Sequence, residues 1–281
     1  MTVLITGARG QVGRGVLTRL HAAGLPVRAA SARPAELAAP DGVERVELAL
    51  GRPETFAPAL DGVRQVFLYP EPAGIAAFTA AATAAGVEHV VLLSSSAVLG
   101  PAAETDPIGA HNLAVERALT ASGLPATLLR PDAFASNAYG WAHAIAAGLP
   151  VQLAYPDAQT APIHPDDLAD LAAAALTGAA FAGGAVSLTG AHSLTFRAQL
   201  AQLGEALGRP IPVETVSRAE AERQLGRHLP PAYAGALLDL WAAATAGPAA
   251  IHDTTETLLG VPARTFRAWA AENARAFTPQ D

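Results

Sequence analysis

The sequence predicts an α/β fold, in which a doubly wound parallel sheet carries a smaller, mostly helical C-terminal lobe. Short apolar runs of strand length alternate with alanine-rich helical stretches as far as about residue 131. Several helical stretches end in a glycine directly before the next run, as in AAGLPV and AAGVEHVV, and glycine is the usual stop signal of a helix. Strands that are apolar throughout and separated by helices are typical of a parallel sheet covered on both faces.

The first 131 residues are assigned to this sheet and its helices. The predicted strands cover residues 2–6, 26–31, 43–49, 64–69, 89–94 and 126–130. The predicted helices cover residues 11–23, 53–60, 73–85 and 106–122.

Beyond residue 131 the alternation loosens, and residues 132–281 are assigned to the lobe, interleaved with the last sheet strands. Helices are predicted over 135–147, 165–176, 196–207, 219–227, 232–246 and 264–276. Strands are predicted near 151–154, 185–189 and 211–216.

Composition excludes several classes of function. The net charge of −7 leaves no basic stripe for nucleic acid. The absence of cysteine excludes disulfides and thiolate chemistry, and the absence of lysine excludes a Schiff base, because every basic residue is arginine. The N-terminal apolar run is shorter than a membrane span and lacks a signal-peptide pattern. We expect a cytoplasmic monomer or homodimer that binds neither nucleic acid nor membrane.

A glycine-rich loop, TGARGQVG, follows the first predicted strand and opens the first helix. In a Rossmann unit such a loop brings backbone N–H groups and a helix N-terminus to a pyrophosphate. Gly7 suits the tight turn, Gly10 the approach of the phosphates, and Gly13 close packing of helix on sheet. The alternative is a turn without a ligand. The predicted cofactor contacts in this loop are Thr6, Gly7, Arg9, Gly10, Gln11, Val12 and Gly13.

The end of the second strand favours NADP(H) over NAD(H). It reads RAASARP and has no acid before Glu36 to bind a ribose 2′-hydroxyl. Ser31 and Arg33 are placed to bind a 2′-phosphate, and Arg9 adds a second guanidinium. The alternative is that both arginines are solvated surface charges.

Longer motifs resemble those of the NmrA-like NAD(P)H-binding group of atypical short-chain dehydrogenase/reductases, a group that includes bacterial quinone oxidoreductases. They are the glycine loop, VVLLSSSAVLG, VERALTASGLPATLLRP with a following F-x-x-N, APIHPDDLADLAAAAL, and SLTFRAQLAQLGEALGRPIPVETVS. The resemblance extends from Thr2 to about Phe277. It implies an NAD(P)H-dependent oxidoreductase.

The resemblance also shows a departure in the catalytic residues. In the superfamily, a serine after the fifth strand acts with a Tyr-x-x-x-Lys pair on the next helix. Ser96 matches the serine, but the tyrosine and lysine positions fall on Ile108 and Asn112. A quinone-like or otherwise unsaturated carbonyl substrate could take its proton from solvent, so we expect a small substrate of that class.

The remaining candidate residues follow from position. His111 is the best titratable replacement for the dyad, because its pKa is naturally near neutrality. The predicted catalytic residues are Ser96, His111 and Tyr139. Further cofactor contacts are predicted at Tyr69, Pro70, Ser94 and Pro131, and substrate contacts at Phe134, Asn137, Trp141 and His164. The alternatives are that His111 is an exposed helix residue, that His164 is a structural turn residue, and that the aromatic residues pack in the core. Asp166, Asp167 and Asp170 are interpreted as helix-start charges, and no metal site is predicted.

Two other functions stay open at this stage. The missing dyad also suits a catalytically silent NADP-binding redox sensor. A redox-neutral isomerase or cyclase of secondary metabolism could use the same fold, and the fold alone does not choose among these functions.

Overall fold

Seven parallel strands form the central sheet of the computed structural model, which describes residues 2–178 and 183–279. Eleven strands lie in these ranges: β1 Thr2–Ile5, β2 Val27–Ser31, β3 Glu44–Glu47, β4 Val63–Leu68, β5 His89–Leu93, β6 Ala126–Pro131, β7 Val151–Leu153, β8 Gln159–Thr160, β9 Gly184–Leu188, β10 Leu194–Thr195 and β11 Val213–Thr215. Eleven α-helices lie there too: α1 Gln11–Ala22, α2 Phe56–Leu60, α3 Ile75–Ala84, α4 Pro107–Ser122, α5 Ala142–Ala146, α6 Pro165–Leu176, α7 Phe196–Leu207, α8 Arg218–Leu225, α9 Pro231–Ala243, α10 Thr254–Leu259 and α11 Phe266–Asn273.

The strand order of the central sheet is β3-β2-β1-β4-β5-β6-β9. Strands β2 and β3 are added on one side of β1, and β4, β5 and β6 are added on the other side, so the strand order reverses at β1. In doubly wound sheets, ligands bind beyond the carboxyl ends of the strands at such a switch point. The predicted fold class is confirmed, and the glycine loop lies at this switch point.

The chain divides into two compact units. The first comprises residues 1–131, 165–188 and 254–261, and the second comprises residues 132–164, 189–253 and 262–281. In the first unit, aliphatic side chains of the sheet pack on α3 and α4, and Phe56 packs edge to face on Phe78 at 5.6 Å between ring centroids. Helix α6 packs against α1 in this unit.

The second unit has an aromatic core and two small sheets. Tyr139 stacks on Phe277 at 5.7 Å, and its other neighbour is Trp269 at 5.2 Å. Strand β7 pairs with β11 in parallel, and β8 pairs with β10 antiparallel. None of the described helices is long and apolar enough to span a membrane.

Three details differ from the sequence prediction. Residues 135–147, predicted as one α-helix, form a 3₁₀ segment, Ala135–Trp141, followed by the short α5. Strands β8 and β10 were not predicted, because two-residue strands have no periodicity and depend on their partner. Helix α10 was not predicted either, since its six residues carry only a short pattern.

Candidate functional site

The glycine loop has no room for side chains where it turns. Gly7 adopts a φ of +61°, and a Cβ there would lie 2.9 Å from the Cβ of Tyr69. A Cβ on Gly13 would lie 2.4 Å from the carbonyl oxygen of Gly7. The N–H of Gly10 donates to that same oxygen at 2.9 Å. The loop is therefore a tight cradle of bare backbone, and its residues fit a dinucleotide pyrophosphate.

The helix that follows the loop has no acidic side chain at its N-terminus to offset the positive end of the helix dipole. Helix α1 begins at Gln11, and its first turn contains no acidic residue. Val12 and Gly13 are buried against the sheet, whereas Gln11 is half-buried. Because the first N–H groups of any helix have no partner within that helix and the positive end of its dipole lies there, this end favours an anion.

Thr6 ties the carboxyl ends of β1 and β4 together. Its hydroxyl donates to the carbonyl oxygen of Phe67 at 3.1 Å and accepts the N–H of Tyr69 at 2.7 Å. Tyr69 is 55% exposed and borders the turn at Gly7. The two segments predicted to contact the cofactor are thus held as one surface.

Arg9 and Arg33 both pair with Glu36, which follows the end of β2. The N–H of Arg33 donates to the hydroxyl of Ser31 at 3.1 Å. The guanidinium of Arg33 lies 3.1 Å from one carboxylate oxygen of Glu36, and that of Arg9 lies 3.4 Å from the other. The sequence analysis did not identify Glu36 as the partner of these two arginines.

The three serines after β5 have different surroundings. Ser94 is buried and donates to a carboxylate oxygen of Glu116 at 2.5 Å. Ser95 accepts the N–H of Ala97 and so caps the 3₁₀ turn Ser96–Leu99. Ser96 is half-buried at the start of that turn. Of the three, Ser96 is the one proposed for substrate polarisation.

Glu116 is the centre of a buried network that spans α4, β5 and β6. Its carboxylate accepts two hydrogen bonds from Arg130, at 2.9 and 2.6 Å. The hydrogen bonds to Glu116 raise the pKa of the Arg130 guanidinium, so Arg130 stays charged. Arg130 directly precedes Pro131, which is buried at the end of β6. The network therefore fixes the strand ends that carry Ser94 and Pro131.

His111 on α4 contacts the segment after β4. Its Nε2 lies 3.1 Å from the carbonyl oxygen of Pro70. A carbonyl oxygen only accepts, so Nε2 carries the proton and, in the neutral ring, Nδ1 is left as an acceptor. Asn112 is buried and donates to the carbonyl oxygen of Ile108. Neither Ile108 nor Asn112 can supply the proton that a tyrosine–lysine pair supplies.

Two predicted residues of the second unit lie in its aromatic core. Tyr139 donates its hydroxyl to the amide oxygen of Asn273 at 2.5 Å, beside Trp269 and Phe277. Trp141 packs edge to face on Phe196 at 5.7 Å. The catalytic role of Tyr139 and the substrate contact of Trp141 stay predictions.

Of the other predicted substrate contacts in the second unit, Phe134 and His164 lie at one short parallel bridge, and Asn137 lies in the 3₁₀ segment that follows Phe134. Phe134 pairs with Ile163, and the N–H of Ala135 donates to the carbonyl oxygen of Ile163 at 2.9 Å. His164 follows, buried, with Nε2 3.0 Å from a carboxylate oxygen of Glu272. Asn137 is exposed. Their roles toward substrate stay predictions.

The sequence interpretation missed a clamp between α1 and α6. A Cβ on Gly15 would lie 2.8 Å from that of Ala169, so glycine allows the two helices to touch. Arg19 donates to Asp170 at 2.5 Å and to Asp166 at 3.0 Å. The two aspartates therefore bind an arginine in addition to lying near a helix start. Gly15, the second glycine within α1, was the sequence feature that could have indicated this close helix contact.

The comparisons with known proteins agree with this geometry. The pattern of a family described as NAD(P)H-binding matches residues 7–179. The chain is 41% identical to the (4-alkanoyl-5-oxo-2,5-dihydrofuran-3-yl)methyl phosphate reductase of Streptomyces griseus, over 99% of this chain and 100% of the relative. It is 31% identical to the NAD(P)H azoreductase of Xenophilus azovorans, over 98% and 99% of the two chains.

A solved structure extends the agreement to the fold. The NADPH-dependent quinone oxidoreductase of Escherichia coli, solved in complex with NADPH, is 25% identical and superposes with a TM-score of 0.80 over 97% of this chain and 99% of that chain. The resemblance to the NmrA-like group and the expectation of NADP(H) as cofactor are both confirmed. The chain belongs to the NAD(P)H-binding family, and it is an NAD(P)H-dependent oxidoreductase.

Proposed function

We propose that the enzyme transfers a hydride to a small quinone-like or enone-like substrate, in which a carbonyl group is conjugated to a carbon–carbon double bond. The observation that carries this proposal is the occupancy of the two dyad positions by Ile108 and by Asn112, whose amide is used within α4. Reduction of a simple ketone produces an alkoxide, which needs a strong proton donor. Reduction of a conjugated system produces a less basic enolate, for which hydrogen bonds and a solvent proton suffice.

The relatives support this substrate class. The name of the Streptomyces griseus relative describes an unsaturated ring that bears an oxo group. The Escherichia coli structure is of a quinone oxidoreductase. In the oxo-dihydrofuran ring of the first name and in a quinone, a carbonyl group is conjugated to a carbon–carbon double bond.

The roles proposed for this chain's residues follow from their positions. When bound, NADPH supplies the hydride. The bare backbone of Gly7, Gly10 and Gly13 and the N-terminus of α1 bind the pyrophosphate. His111 holds the segment of Tyr69 and Pro70 by its hydrogen bond to the Pro70 carbonyl oxygen.

Ser96 is proposed to donate its hydroxyl to the substrate carbonyl oxygen, where negative charge develops. The adjoining Ser94–Glu116–Arg130 network holds the end of β5 that leads into the Ser96 turn. In an enone, the hydride adds to the carbon β to the carbonyl group, and water protonates the α carbon. In a quinone, water protonates the oxygens of the hydroquinone product.

The test is NADPH consumption with matched pairs of substrates. Each quinone, enone or unsaturated lactone is compared with a saturated ketone of similar size. We expect turnover of the conjugated member of each pair and none of the saturated member. Equal turnover of saturated ketones would overturn the proposal. Tight NADPH binding without turnover of any compound would favour the redox-sensor alternative.

A further inference from the structure

Glu36 stands between the two arginines expected to hold the 2′-phosphate of NADPH. One of its carboxylate oxygens lies 3.1 Å from Nη1 of Arg33, and the other lies 3.4 Å from Nη1 of Arg9. The side chains of all three residues are about half exposed. The carboxylate thus bridges two guanidiniums in the way that a phosphate group bridges them.

The position of Glu36 is fixed by the short turn that follows β2. Residues Pro34–Glu36 form one 3₁₀ turn, in which the N–H of Glu36 donates to the carbonyl oxygen of Arg33 at 3.1 Å. Arg9 comes from the glycine loop and Arg33 from the end of β2, and Glu36 of this turn contacts both guanidiniums. Arg52 also lies near, where it donates to the carbonyl oxygen of Ala32, but Glu47 pairs with it at 2.6 Å.

We propose that Glu36 is a specificity-determining residue, an internal anion that competes with the 2′-phosphate for Arg9 and Arg33. A 2′-phosphate must displace the carboxylate from these guanidiniums and then lie beside its negative charge. NAD(H) has only a hydroxyl there and leaves both ion pairs in place. Glu36 therefore lowers the preference of the enzyme for NADP(H), although the arginines create that preference.

The proposal predicts a gain of affinity on substitution. Glu36→Gln keeps the size of the side chain and raises the summed charge of the three residues from +1 to +2. At low ionic strength, the affinity for a 2′-phosphate should rise about threefold to tenfold, because the charges lie within a few ångströms in water. The gain should shrink as salt is added.

The experiment isolates the 2′-phosphate with fragments of the cofactor. Isothermal titration calorimetry measures the binding of 2′,5′-ADP and of 5′-AMP to the full-length protein, since the two differ only in that phosphate. The variants are Glu36→Gln, Arg33→Ala and the control Glu88→Gln. Glu88 is an exposed acid paired with Arg64, at the opposite end of β4 from the glycine loop.

We expect Glu36→Gln to tighten 2′,5′-ADP and leave 5′-AMP unchanged, Arg33→Ala to weaken 2′,5′-ADP, and Glu88→Gln to do neither. Unchanged or weaker binding of 2′,5′-ADP by Glu36→Gln overturns the proposal. An equal effect of Arg33→Ala on both fragments also overturns it, because the phosphate then lies elsewhere. Since no substrate is present, these results are independent of the proposed conjugate reduction.

Discussion

The buried hydroxyl of Ser94 donates to Glu116 at 2.5 Å, and this contact joins the end of β5 to the middle of α4. Arg130 completes the arrangement from β6 with two further hydrogen bonds to the same carboxylate. Three elements that carry predicted site residues therefore share one acidic side chain. The following variants test what this and neighbouring contacts contribute.

Glu116→Gln should destabilise the protein. The variant leaves the Arg130 guanidinium in a mostly buried place without its counter-charge, which lowers the free energy of unfolding by about 3 kcal/mol. Urea denaturation measures the change. Glu104→Gln, which breaks an exposed pair with Arg117, is the control and should change stability by less than about 0.5 kcal/mol. Equal effects of the two variants would contradict the structural role of the network.

Ser96→Ala tests the proposed polarising group. Loss of one hydrogen-bond donor to developing charge lowers kcat by about 100-fold, and the affinity for NADPH should not change. Steady-state kinetics and a fluorescence titration measure the two quantities. The control is Ser122→Ala, because Ser122 lies at the other end of α4, where its hydroxyl donates to the Leu119 carbonyl oxygen. A rate within about twofold of wild type would exclude Ser96 as the donor.

Gly13→Ala should weaken cofactor binding. Its Cβ would lie 2.4 Å from the Gly7 carbonyl oxygen, so the loop backbone must shift. We expect the Kd for NADPH to rise by at least about tenfold, the equivalent of about 1.4 kcal/mol. Gly235→Ala is the matched control. It places a Cβ in open space on α9 and should stabilise the protein by about 0.5–1 kcal/mol with unchanged binding. Normal NADPH affinity in Gly13→Ala would mean that the loop does not hold the pyrophosphate.

His89 should make stability fall in acid. It is buried at the start of β5, 2.9 Å from the Thr127 hydroxyl, and burial lowers its pKa below the usual value of about 6.5. Below that pH the unfolded chain binds a proton that the folded chain excludes, so stability is complete above about pH 6.5 and decreases as the pH falls. His89→Gln should reduce the slope of unfolding free energy against pH between 7 and 5. His228→Gln, at an exposed position, is the control. An equal change of slope in the two variants would contradict the role of His89.

Tyr139→Phe separates packing from catalysis. The hydroxyl donates to Asn273, and the ring packs among Trp269 and Phe277. Removal of the hydroxyl should therefore lower the free energy of unfolding by about 1 kcal/mol and leave kcat/KM within about threefold. A loss of kcat with unchanged stability would instead support the catalytic role that the sequence suggested.

Local patterns sufficed to predict most of the fold. Helices α6 and α7 begin and end where the sequence predicted, because their apolar spacing is regular and each lies between turn residues. The glycine loop was also predictable, since its requirements are set by neighbours along the chain. Strands β8 and β10 were not, because each exists only through pairing with the other.

The contacts that refine the site join residues far apart in sequence. Arg9 and Glu36 are 27 positions apart, Ser94 and Glu116 are 22 apart, and Arg19 and Asp170 are 151 apart. Such pairs depend on the strand order and on helix packing, which no single stretch of sequence encodes. The sequence therefore indicated the arginines at β2 and the serines at β5 but not the acids that pair with them.

The clamp between α1 and α6 has a consequence for synthesis of the protein. Asp170, which fastens the helix that follows the glycine loop, is made 151 residues after Arg19. At about 5–20 residues per second this delay is on the order of ten seconds. The nascent chain thus exposes one side of α1 until residues 165–188 emerge, and a chain that stalls at residue 131 has every glycine of the loop without the helix that supports it.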